Sequence, residues 1–137
     1  MKVSEQNEVY QMMAEIKNQD QARKLVKAHI SPEYLKQQQS RITVWLKYNV
    51  KIFKSVTFTD YDISQMGSLN ISGYINHDKS LAFDATVSFP TGEKKFEGSI
   101  GYTNGITKSV KLPEKTVSEI ENIKKNDAKD QTNRNQK

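Results

Sequence analysis

Between Leu69 and Phe89 the apolar residues fall on odd positions and the polar ones on even positions. Leu69, Ile71, Gly73, Ile75, Leu81, Phe83, Ala85, Val87 and Phe89 alternate with Asn70, Ser72, Asn76, Asp84, Thr86 and Ser88. A period of two predicts strands with one buried face. In an antiparallel ladder opposed residues share a face and their numbers have a constant sum, so two odd faces need a loop of odd length. Pairing Ile75 with Leu81 meets this through the loop His77-Asp78-Lys79, and sets Gly73 against Phe83, Ile71 against Ala85 and Leu69 against Val87.

The same parity rule extends in both directions. In "KKFEGSIGYT" the face is even, through Phe96, Gly98, Ile100 and Tyr102, so the loop before it must be even. Phe89 opposite Phe96 places Gly92-Glu93 at the centre, with glycine first as a type II′ turn prefers. A fifth strand is expected in "ITKSVKL", through Ile106, Val110 and Leu112, after the three-residue loop Thr103-Asn104-Gly105. Upstream, "SVTFTDYDI" is rich in β-branched and aromatic residues and reads as the first strand. Its apolar parity shifts from Val56/Phe58 to Tyr61/Ile63, which predicts a bulge at Asp60 or Tyr61.

Helical spacing precedes the strands. Val9, Met12, Met13, Ile16, Leu25, Val26 and Ile30 predict helix over 5–30, with the polar Asn18-Gln19-Asp20 as a possible interruption. Ser31-Pro32-Glu33 is a helix start: an N-cap hydroxyl, a proline at the first helical position and an acid at the positive end of the dipole. From there Leu35, Ile42, Trp45, Leu46, Asn49, Ile52 and Phe53 form one stripe, predicting a helix over 32–53. The expected fold is α+β: one or two N-terminal helices packed on a four- to five-stranded antiparallel meander, cystatin-like or NTF2-like by analogy. Residues 1–113 form this single domain. Residues 114–137 are expected to be a polar extension, a short helix through Val117, Ile120 and Ile123 and then disorder from about Asn126.

Composition narrows the chemistry. With 137 residues the chain suits one domain with one core. There is no cysteine, and the only histidines are His29 and His77, so no metal site and no cofactor is expected. There is no G-x-S-x-G elbow and no phosphate-cradling glycine loop before a helix. Asp60, Asp62 and Asp84 read as solvated strand residues, so the expectation is a protein that is not an enzyme. The net charge of +5 lies mostly in residues 1–53, which carry +4, whereas residues 54–113 are neutral. Arg23, Lys24 and Lys27 are the candidates for an anionic surface. The neutral sheet argues against nucleic acid. On the polar face Tyr74 stands among Asn70, Ser72 and Asn76, and Tyr74, Asn76, Asn70 and Met66 are the candidate partner-binding residues. The start "MKVSEQNEVYQMM" has no apolar h-region, and no apolar run approaches the ~20 residues of a membrane span.

Tyr48-Asn49, "KSVTFT", Met66-Gly67, "GYINHDKSLAF", "FEGSI" and "KTVSEI" together resemble domain of unknown function fourteen thirty-three, over roughly residues 42–122. That family occurs in small Gram-positive cell-envelope lipoproteins. The resemblance implies export, with an anchor absent from this chain, and an extracytoplasmic, membrane-anchored precursor. It further implies an immunity-type role near type VII secretion toxins: a monomer, or a 1:1 complex in which it occludes a secreted, possibly lipid-directed toxin. The alternative is a structural or sensory envelope module that binds anionic lipid or wall polymer.

Overall fold

The computed structural model describes residues 19–64, 67–88 and 95–135. Helix α1 spans Gln19–Ala28, α2 Pro32–Asn49, and strands β1 Val56–Ile63, β2 Leu69–Ile75, β3 Asp78–Val87 and β4 Ile100–Tyr102 follow. A one-turn helix α3, Asn104–Thr107, and a long helix α4, Val117–Asn135, complete the order. The four strands form one antiparallel sheet in the order β1-β2-β3-β4.

Ser31 caps α2 as its residue type predicts: Oγ accepts the Tyr34 N–H at 3.1 Å, with Pro32 in the first turn. Along α2, Tyr34, Gln38, Ile42, Trp45, Leu46 and Asn49 are buried. The helix stops at Asn49, short of the expected Phe53. Val50 turns to extended backbone and forms a bridge with Val110. The Asn49 carbonyl accepts from Lys111 N–H at 2.7 Å, and Lys51 N–H donates to the Ser109 carbonyl at 2.8 Å. Tertiary pairing thus replaces the last helical turn, and Ile52 is left 42% exposed. The α1 segment keeps Ala22 and Val26 buried, while Val9, Met12, Met13 and Ile16 lie outside the described residues.

In the ribbon, Leu69↔Val87, Ile71↔Ala85 and Gly73↔Phe83 pair as the alternation requires. The connection differs from the expected three-residue loop. Asn76 and His77 have φ of 58° and 56°, a two-residue turn of the type I′ kind. The register runs Ile75↔Asp78 and then jumps to Tyr74↔Ala82, so Lys79, Ser80 and Leu81 bulge. An even turn followed by an odd bulge restores the parity that an odd loop was expected to supply. On β1 the bulge appears between Phe58 and Asp60, so Thr59 is the extra residue.

β4 joins β3 through Phe83↔Tyr102, Asp84↔Gly101 and Ala85↔Ile100, the register that extrapolates from Phe89 opposite Phe96. Its central turn, Gly92-Glu93, lies outside the described residues. The fifth strand does not form. Thr103 N–H donates to the Ala82 carbonyl at 3.1 Å, after which the chain coils into α3 and buries Ile106. Helical closure of the Thr103 carbonyl by Thr107 N–H at 3.1 Å takes the place of a hairpin. The sheet therefore has four strands.

α4 begins with a capping box: Glu119 N–H donates to Thr116 Oγ1 at 3.2 Å, and Thr116 N–H to Glu119 Oε1 at 3.1 Å. Val117 and Ile120 are fully buried, so these turns pack with the domain that precedes Pro113. α4 runs on to Asn135. The core lies between α2 and the odd face of the sheet, with Ile42, Trp45 and Leu46 over Leu69, Ile71, Ile75, Phe83 and Ala85. Each such side chain contributes roughly 1.5–3 kcal/mol by leaving water.

Candidate binding surface

With the helices on the odd face, the even face of the sheet carries Asn70, Ser72 and Tyr74 of β2, Ala82, Asp84 and Thr86 of β3, and Gly101 of β4. None of these is buried. Two contacts tie neighbours together: Thr86 Oγ1 to Asn70 Oδ1 at 3.1 Å, and Ser72 Oγ to Asp84 Oδ1 at 3.5 Å. Tyr74 stands between Thr57 of β1 and Ala82 of β3. Both neighbours are small, and Tyr74 itself is half-buried. Beyond Ala82 a hollow of about 260 Å³ is lined by Ala82, Phe83, Asp84, Gly101, Tyr102 and Thr103. A side chain at Gly101 would meet nothing within 4 Å. A partly exposed aromatic residue beside a shallow apolar hollow, on a polar sheet, suits contact with another surface.

The edges of the sheet are treated differently from its face. On β1, Asp60 Oδ1 accepts the Tyr61 N–H and Asp62 Oδ1 the Ile63 N–H, both at 2.8 Å. These carboxylates occupy donors that β1 turns away from β2, which blunts the edge against strand addition. At the far edge β4 is three residues long. Tyr102 there donates its hydroxyl to Glu114 Oε1 at 2.9 Å. Burial, and then the bond and charge of Glu114, push the phenol above its ordinary pKa.

The other sequence candidates fall in separate places. Asn76 serves the turn: its Oδ1 accepts from Lys54 N–H at 2.7 Å and Ser55 N–H at 3.2 Å, and its Nδ2 donates to the Ile52 carbonyl at 2.7 Å. Met66 lies outside the described residues. Of the basic trio, Arg23 pairs with Asp20. Lys27 lies 3.9 Å from Asp60 and 5.0 Å from the centre of the Tyr61 ring. Lys24 is exposed. Among the described residues no three of His, Cys, Asp or Glu are grouped to hold a metal. No described helix is long and apolar enough to cross a membrane.

Sequence reasoning missed the buried polar residues that position β4. Gln38 Oε1 accepts the Phe96 N–H at 2.7 Å, and Arg41 Nε donates to the Phe96 carbonyl at 2.8 Å. Arg41 also pairs with Glu97 and Glu121. Asn49 grips Lys115 at both ends, Oδ1 accepting its N–H at 2.9 Å and Nδ2 donating to its carbonyl at 3.0 Å. The available signal was an amide at apolar-stripe spacing, Gln38 and Asn49 flanking Ile42 and Trp45.

A family model described as "Protein of unknown function (DUF1433)" matches residues 34–122. Among solved structures, the chain is similar to the solution NMR structure of the folded 79 residue fragment of Lin0334 from Listeria innocua. The two are 31% identical with a TM-score of 0.53, over 64% of this chain and 90% of that one. No curated protein matches the chain.

Proposed function

The chain belongs to the DUF1433 family, and from that premise we propose that it is a binding protein, not an enzyme, acting as an extracytoplasmic immunity protein. Its target is a type VII-secreted toxin, which it neutralises by one-to-one occlusion. The observation that carries this reading is the even face of the sheet, none of whose named residues is buried, with Tyr74 between Thr57 and Ala82 and the hollow at Gly101 beside it. The face is backed by the full thickness of the core, so it presents a surface that loses little freedom on binding. The blunted β1 edge favours face-on contact over strand addition.

The test mixes the purified protein with the toxin encoded beside its gene and follows both complex mass and toxin activity. A one-to-one complex and full inhibition are expected. Tyr74→Asp, on a half-buried position outside the core, weakens binding at least tenfold, the loss of about 1.4 kcal/mol or more that an aromatic anchor carries. A toxin that stays fully active in excess protein removes the reading.

A further inference from the structure

Unneutralised lysines gather in the helical layer, away from the basic trio read from the sequence. Lys47 near the end of α2, Lys111 in the stretch beside Val50, and Lys124 of α4 line a hollow of about 210 Å³ whose other walls are Val44 and Tyr48. All three lysines are exposed. The Lys111 ammonium lies 5.5 Å from the centre of the Tyr48 ring. Among the described residues none of the three has a carboxylate within 4.0 Å. The acid one turn before Lys124, Glu121, is drawn to Arg41 instead. Arg23 and Lys27, by contrast, have carboxylate partners in Asp20 and Asp60.

Packing of three separate elements thus holds like charges around one small concavity. Their mutual repulsion is relieved by an anion seated between them. We propose that this hollow binds a phosphate-bearing anion. Lysines from α2, α4 and the segment that follows Val110 reach its oxygens as movable point charges. Val44 and Tyr48 supply an apolar wall for whatever the phosphate esterifies. The site lies on the helical side of the molecule, opposite the even face of the sheet, and does not rest on the toxin-binding reading.

The test is an NMR titration of the whole chain with pyrophosphate, against sodium chloride at matched ionic strength. A second arm measures sedimentation with phosphatidylglycerol vesicles against phosphatidylcholine vesicles. Saturable shifts confined to the amides around Val44–Tyr48, Lys111 and Lys124 are expected with pyrophosphate or with the anionic vesicles. The triple variant K47Q/K111Q/K124Q loses at least about tenfold in affinity, since charge-assisted contacts dominate, whereas R23Q/K24Q/K27Q stays within about twofold. The first variant alters exposed positions and the second includes the half-buried Arg23 and Lys27, and unchanged circular dichroism checks the fold of both. Binding of pyrophosphate alone assigns a soluble phosphate, and binding of anionic vesicles that the first variant abolishes assigns a lipid headgroup. Two results overturn the site: no saturable binding to either probe, or equal loss in both triple variants, which is diffuse polyelectrolyte attraction.

Discussion

The β2–β3 ribbon holds itself through a backbone ladder from Leu69↔Val87 to Tyr74↔Ala82, whereas the neighbouring segment 95–116 meets the sheet only between Ser99 and Thr103 and is anchored beyond it by side chains of α2 and by backbone bonds to Asn49–Lys51. Gln38 and Arg41 take both main-chain groups of Phe96. Asn49 takes both main-chain groups of Lys115, and its own carbonyl takes Lys111 N–H. The first region depends on close backbone approach, and the second on a few polar atoms placed on a helix. The two regions should therefore fail in different ways.

The largest effect is expected at Gly73. An added Cβ would lie 2.3 Å from the Thr57 carbonyl oxygen, 2.9 Å from the Phe83 ring and 3.2 Å from the Phe58 Cα. Two of these are backbone atoms that cannot swing aside. Gly73→Ala should cost about 3 kcal/mol, the upper range for overpacking, read as a lowered urea midpoint. Because Leu69, Ile71 and Phe83 belong to the core, amide protection should fall throughout the domain. A variant as stable as the parent would mean the ribbon is not as closely packed as described.

Asn49→Leu should come next, at about 2 kcal/mol, since it strands the N–H and carbonyl of Lys115 while keeping the branching of the side chain. Here hydrogen exchange distinguishes the regions. Protection should drop over 109–117 and persist in β2 and β3. Equal loss in the ribbon would break the contrast between the two.

Gln38→Met sharpens it further. Gln38 is fully buried, yet its Nε2 has no hydrogen-bond partner among the described residues, while Oε1 accepts the Phe96 N–H. Removing the side-chain amide loses one bond and also removes one unsatisfied donor. The net cost should be about 1 kcal/mol, below that of Asn49→Leu. The opposite order in denaturation midpoints would show that the Phe96 anchor, not the Lys115 anchor, holds the segment.

The same contrast explains what was legible in the sequence. Period-two alternation placed β2 and β3 and their register, because a one-residue slip would turn Leu69, Ile71 and Phe83 to water. It did not reveal how parity would be met, since a turn with Asn76 and His77 at positive φ followed by a bulge satisfies the same arithmetic as a three-residue loop. Alternation also suggested a strand through Ile106 and Val110, and there it misled. Ile106 is buried by a helical turn, and the half-buried Val110 forms a bridge to Val50. The chain beyond Val110 is held at Lys115 by Asn49, whose amide reads locally as one more member of an apolar stripe. Of the candidate surface, Tyr74 and Asn70 were legible from parity alone. The hollow at Gly101 and the lysine cluster around Tyr48 bring together residues far apart in the chain, which no local period encodes.

The smallest effects concern pH, and they again separate the regions. In the ribbon turn the Ser80 hydroxyl and then its backbone N–H hold the Asp78 carboxyl below its ordinary pKa. At the start of α4 the Thr116 backbone N–H and then its hydroxyl do the same for Glu119. A depressed carboxyl contributes stability that is complete above its unfolded pKa of about 4 and is lost as pH falls through the folded value. Tyr102 is raised, so its contribution is complete below about pH 10 and is lost as pH rises through the folded value. The ribbon should therefore respond only to acid, and the segment that carries Tyr102, Glu114 and Glu119 to both extremes. Amide spectra followed from pH 7 downward should move at Ser80 and Thr116. Followed upward, they should move at 100–102 and 114, and Tyr102→Phe should silence that upper limb. Alkaline loss that survives Tyr102→Phe would place its origin outside the Tyr102–Glu114 contact and remove the distinction between the two regions.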